Sequence, residues 1–112
     1  MSLEINLKSV GDATVLKCAG SLDTQSSLDA ENQLNQLIDA GDVKILVNFE
    51  NLDFVSSAGL RVLLAAAKAL KKVDGELRIC GLNEMVKEVF DISGFVTIFR
   101  VFGSESEALD GF

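Results

Sequence analysis

Four residue types are missing from this chain of 112 residues: histidine, tryptophan, tyrosine and proline. Without histidine the commonest general base and the commonest metal ligand are gone, and Ser–His and Cys–His nucleophilic catalysis are excluded within the chain. Cysteine is scarce, with only Cys18 and Cys80, far apart and each inside an apolar run. Neither has the near neighbour of a CxxC or zinc motif, so both read as buried, inert thiols. Positive charge is scarce as well: ten Lys and Arg stand against 17 Asp and Glu, a net charge of −7. Nucleic acid is bound through Lys and Arg that displace counterions, so it is not an expected partner, and neither is an anionic membrane surface. No apolar run approaches the ~20 residues of a membrane span, and the opening Met-Ser-Leu-Glu-Ile-Asn-Leu-Lys lacks the basic and apolar regions of a signal peptide. A cytoplasmic location is expected. Neither standard glycine-rich phosphate loop occurs, so a nucleotide cofactor has no support.

What is present is an ordinary globular mixture, 48% hydrophobic and 24% charged. That argues against disorder, and the length fits one domain over residues 1–112. Such a chain buries roughly two thirds of its unfolded surface, enough to fold on apolar packing without a metal or disulfide staple.

Leu3, Ile5 and Leu7 alternate with polar residues, the period-2 pattern of a strand with one wet face. Gly11-Asp12 marks a turn, and residues 13–19 read as a second strand returning as a hairpin. Leu28, Ala30, Leu34, Leu37 and Ile38 fall at 3- and 4-residue spacings, predicting an amphipathic helix over 24–40 that Gly41 ends. Residues 43–49 carry apolar side chains on both faces, at Leu46 on one and at Ile45 and Val47 on the other, as a central covered strand requires. A loop at 50–56 leads into a second helix over 57–72, with Leu60, Leu63, Leu64, Ala67 and Leu70 at helical spacing. A strand at 76–80, a short helix at 83–91, a strand at 96–102 and a terminal helix at 104–109 capped by Ser104 complete the chain. Strands alternating with helices imply right-handed crossovers. The expected fold is α/β: a mixed, mainly parallel sheet of roughly four to five strands with an N-terminal hairpin, flanked by about three to four helices.

In such sheets function gathers beyond the carboxyl ends of the strands. Two loops qualify and are expected at the same edge: 20–24, with Ser21 and Asp23, and 53–60, with Ser56, Ser57, Ala58 and Gly59. Paired hydroxyls before small residues and an apolar helix fit an N-cap, and they fit equally a helix start with amides open to an anion. A phosphate on Ser57 would face the positive end of the helix dipole. Asp23 reads either as the cap of the first helix or as a polar group beside Ser57. Acid–base catalysis needs paired or perturbed carboxylates, and Asp23, Glu50 and Asp53 lie at solvated loop ends. No catalytic residue, metal ligand or cofactor is assigned, and an enzyme is not expected.

Taken together, several stretches resemble the anti-sigma factor antagonists, single-domain members of the STAS group shared with sulphate transporters. These are Gly20-Ser21-Leu22-Asp23, the strand from Ile45 to Phe49 and on to Leu52, the run from Phe54 to Leu63, and the pair Val86–Phe90 and Ser93-Gly94-Phe95. The resemblance covers nearly the whole chain. It implies a phosphoacceptor serine two places before the Gly-Leu pair, which is Ser57, with Ser56 as the alternative. Family members often carry Asp before that serine and Ser or Thr after it, where this chain has Ser56 and Ala58. It implies partner switching: the unmodified protein binds an anti-sigma factor that is also a serine protein kinase and so releases a sigma factor. Phosphorylation ends binding, and a PP2C-type phosphatase restores it. The partner surface it implies comprises Ser21, Asp23, Ser56, Ser57, Ala58, Gly59 and Arg61. A second reading is a non-switched STAS subunit of a transport ATPase complex, docking through the same loops.

Overall fold

The computed structural model describes residues 3–112, the side chain of Val96 excepted. Strands β1 (Leu3–Val10) and β2 (Ala13–Leu22) form the expected hairpin, followed by α1 (Ser27–Asp39), β3 (Lys44–Val55) and α2 (Ser57–Lys71). Then come β4 (Glu76–Cys80), α3 (Glu84–Ser93), β5 (Arg100–Phe102) and α4 (Glu105–Leu109). The five strands lie side by side in sequence order, β1 antiparallel to β2 and the rest parallel. The fold class and the hairpin agree with the sequence reading. No helix among the described residues is long and apolar enough to cross a membrane.

The alternation along β3 assigns its two faces. Ile45, Val47 and Phe49 pack with Leu34 of α1, Leu63 and Leu70 of α2, and Val86 and Phe90 of α3. Leu46, between them, turns to the other face and packs with Val15, Cys80 and Ala108 of α4. Three helices thus cover one face, and the small α4 with the chain end covers part of the other. Both thiols are buried where expected. Burial pushes Cys18 up to about 12. Burial first, then the nearby carboxylates of Glu105 and Glu50, pushes Cys80 up to about 11.

Four boundaries differ from the sequence reading by three residues or more. Strand β3 does not stop at Phe49 but runs on to Val55, and β2 runs on to Leu22, with Gly20 facing Leu52 and Leu22 facing Val55. Register shifts at Lys17/Ala19 and Gly20/Ser21 break the alternation there, so a continuing ladder looks like a loop in the sequence. Helix α1 starts at Ser27 rather than 24, because residues 23–26 form a turn closed on the Asp23 carboxylate. Leu28, counted in the helix's apolar set, is 60% exposed. The last strand is three residues rather than 96–102. Gly94, at φ 77°, ends α3, and a 3-10 turn at Phe95–Thr97 brings Phe95 and Phe99 against Phe90, with ring centroids 6.3 and 6.2 Å away. The aromatic cluster needs a helical i, i+4 spacing for Phe95 and Phe99, and that shortens the strand.

The chain end is clamped from beneath. Arg78 of β4, buried, donates from Nη1 to the carbonyls of Ala108 and Asp110 at 2.9 and 3.1 Å and from Nη2 to Gly111 at 3.3 Å. Its guanidinium lies 4.3 Å from the Phe112 ring centroid, and Nε pairs with Glu76 at 2.9 Å. A buried cation is tolerated because four of its five N–H donors meet an oxygen and aromatic rings cover its plane. Replacing it with methionine, Arg78→Met, leaves those carbonyls without their donor. We expect a loss of about 2–4 kcal/mol in urea unfolding, with faster amide exchange in residues 105–112. Unchanged stability would mean that the clamp is solvated. The raised thiols predict that Ellman's reagent at about pH 8 reacts with neither cysteine in the native protein and with both in guanidinium, since only the thiolate attacks.

Candidate functional site

The parallel pair β2/β3 ends with Leu22 opposite Val55, so the next residues, Asp23 and Ser56, emerge side by side. The Ser56 amide donates to the Leu22 carbonyl at 2.8 Å and ties the two exits together. The expectation that both loops share one sheet edge is therefore correct. Ser56 is the N-cap of α2, extended at φ −94°, and its Oγ accepts from the Gly59 amide at 3.3 Å. Ser57 is the first helical residue and is exposed. Its hydroxyl makes no hydrogen bond among the described residues, so the two serines divide the roles: one hydroxyl caps, the other faces solvent. Ala58 is half-buried. Arg61, one turn on, is exposed and reaches back so that Nε donates to the Ser57 carbonyl at 3.5 Å.

Gly59 is buried, and a Cβ there would lie 2.7 Å from Leu22 Cγ and 3.0 Å from Val55 Cγ2. The helix start can sit down on the strand ends only because that atom is missing. Ser21 is also buried, 2% exposed, with its Oγ unpartnered among the described residues. Gly59 and Ser21 therefore support the surface from below, while Asp23, Ser57 and Arg61 form it.

Asp23 is held as an anion by local geometry. Its Oδ1 accepts from the amides of Gln25 and Ser26 at 3.0 and 2.9 Å. Ser26 Oγ accepts from the Asp23 amide at 2.9 Å and donates to the Ser21 carbonyl at 2.7 Å. The bond from the Ser26 amide is the chief reason the Asp23 carboxyl titrates below its usual range. A carboxylate so held is a poor general base near neutrality. The stability it contributes is present above the unfolded aspartate range and fades only as pH falls through its lowered value. Asp23 thus caps the turn that leads into α1, whereas Ser26, the residue before the helix, makes no side-chain cap bond; the carboxylate orders the loop beside Ser57 rather than serving as a base.

Two apolar side chains were missed as surface residues. Phe54, next to Val55, is 42% exposed, and Leu28 opens the first turn of α1 outward. The signal for Phe54 was an aromatic between Asp53 and Val55 in a stretch too polar for a core strand. Phe54 faces Ser21 across the β2/β3 ladder, so the same strand ends that carry Asp23 and Ser56 also carry an exposed aromatic. Among the described residues no group of three His, Cys, Asp or Glu converges to hold a metal.

A family model for the STAS domain matches residues 4–108. BtrV of Bordetella bronchiseptica, described as a candidate anti-sigma factor antagonist, is 39% identical over 102 residues, 90% of this chain and 88% of that protein. A Thermotoga maritima structure described in the same way superposes with a TM-score of 0.91 at 20% identity, over 95% of this chain and 92% of the other. The anti-sigma factor antagonist SpoIIAA, solved unphosphorylated and phosphorylated, superposes with a TM-score of 0.75 in either form. Identities are 24% and 26%, over 96% of this chain in both cases and 96% and 97% of those chains. The chain belongs to the STAS domain family, in the group of the anti-sigma factor antagonists.

The close approach at Gly59 gives a test of the site's foundation. Gly59→Ala adds helix propensity of about 1 kcal/mol, yet it forces a methyl into Leu22. We expect a net loss of about 1–3 kcal/mol in chemical unfolding. A gain in stability would show that α2 does not rest on the strand ends.

Proposed function

We propose that this protein is a cytoplasmic anti-sigma factor antagonist that works by partner switching, with Ser57 as the phosphoacceptor. Unmodified, it binds an anti-sigma factor that is also a serine protein kinase, through Asp23, Phe54, Ala58, Ser57 and Arg61, and frees a sigma factor. A PP2C-type phosphatase reverses the phosphorylation. The observation that carries this reading is the division of labour between the two serines. Ser56 Oγ is engaged by the Gly59 amide, whereas the Ser57 hydroxyl projects into solvent at the first position of α2.

The switch this implies is local. A phosphate carries a charge of about −1.5 to −2 at neutral pH and adds bulk to a surface that must be desolvated to bind. Within the free protein that charge faces the start of α2, where the dipole favours anions and the first turn has no acidic residue. It lies one turn from Arg61, whose guanidinium pairs with no carboxylate among the described residues. Inside a complex the same anion, buried without a partner, costs several kcal/mol. The fold tolerates what the interface rejects.

The test is a pull-down from native cytosol with Ser57→Ala and Ser57→Asp baits. The Ala bait should capture a serine-kinase-like ATPase and the Asp bait at least about tenfold less, a difference of roughly 1.4 kcal/mol or more. Equal capture of a transport ATPase by both would make the chain a constitutive subunit and overturn the switch. Phosphorylation by the captured kinase then separates the serines. Ser56→Ala should still accept phosphate while losing about 1 kcal/mol of stability with its cap. Ser57→Ala should accept none.

A further inference from the structure

At the opposite end of α2 lies a feature that partner switching does not use. A groove of about 650 Å³ opens between the last turns of α2 and the segment leading into β5. Leu64 and Phe99 form its apolar walls with Ile98, which is 54% exposed. Lys68, Lys71 and Arg100 line its rim, together with the carboxylate of Glu76. These are three of only ten cations in a chain of net charge −7, so their gathering on one apolar groove opposes the protein's overall field. Glu76 is already engaged, by Arg78 at 2.9 Å and by Arg100 at 3.3 Å. Lys68 and Lys71 are exposed and form no ion pair among the described residues. At i, i+3 on one helix face, both ammonium groups can reach a single head group.

The groove is far from Ser57. Eleven residues of helix separate Ser57 from Lys68, about 16 Å of rise. Glu76 and Arg100 begin β4 and β5, whereas Ser57 follows the end of β3, so the groove sits at the amino edge of the parallel strands. Its volume is that of a small-molecule site, with apolar walls and a few polar groups at one rim.

We infer that this groove binds a fatty carboxylate, the chain lying on Leu64, Ile98 and Phe99 and the carboxylate meeting Lys68 and Lys71. The apolar length accounts for the tail, and two unpaired ammonium groups on one side account for a head of single negative charge.

Octanoate is the probe, titrated into the ¹⁵N-labelled 112-residue protein and followed by amide shifts, with 1-octanol as the neutral control. Saturable shifts are expected in residues 64–71 and 98–100 and not in 21–23 or 56–61, with octanol at least about tenfold weaker. The double variant Lys68→Gln/Lys71→Gln, at exposed positions that leave the core untouched, should weaken octanoate by about tenfold while Ser57→Asp leaves it unchanged. Ile98→Asn, also at an exposed position, should weaken octanoate and octanol alike. The inference is overturned if millimolar octanoate shifts nothing, if the shifts map elsewhere, or if octanol matches octanoate. Failure here leaves the Ser57 pull-down unaffected, and the reverse holds, so the two readings stand or fall separately.

Discussion

The site at the start of α2 depends on one close approach, the backbone of Gly59 against Leu22 and Val55. With the helix seated there, the Ser56 amide reaches the Leu22 carbonyl, and the Ser56 hydroxyl turns inward onto the first turn. Ser57 then has only one direction left, outward. The same seat joins the exits of β2 and β3, so the Asp23 turn is carried alongside. A missing methyl group, rather than any polar contact, sets the geometry that the polar residues exploit. Interiors packed as tightly as crystals transmit such constraints over a whole turn of helix.

The legible parts of the chain were those with an unbroken period. The alternation of β1, the 3- and 4-residue spacings of α2, and the two-faced apolar run at Ile45–Val47 all led to the observed elements. Where the period was interrupted, the reading failed for identifiable reasons. Register shifts in β2 hid the continuation of β3, so residues 50–55 passed for a loop. Asp23 reads both as a helix cap and as a polar group beside Ser57 because an Asx-type turn and an N-cap draw on the same acceptor chemistry. Phe99 passed for a strand residue because nothing local says that an aromatic will prefer a ring on another helix to a ladder. At the site, Ser57 and Asp23 were visible by type and neighbourhood. The burial of Gly59 and Ser21, and the exposure of Phe54 and Leu28, are products of tertiary packing and could not be read from spacing.

Helix α2 has chemically distinct ends. Its start presents a free hydroxyl and no acidic side chain, where the dipole is positive. Its last turn carries Lys68 and Lys71, where the dipole is negative. Cations near a helix C-terminus ordinarily serve the dipole alone. Here they also border an apolar hollow, which gives the same two charges a second possible use without altering the first.

The clamp around Arg78 bears on how the chain is made. The guanidinium is inserted into β4 about thirty residues before its acceptors exist, since Ala108, Asp110 and Gly111 lie 30, 32 and 33 positions further along. A chain made from its amino end places β4 well before the segment that meets its cation, so the clamp can close only once residues 108–111 have been added.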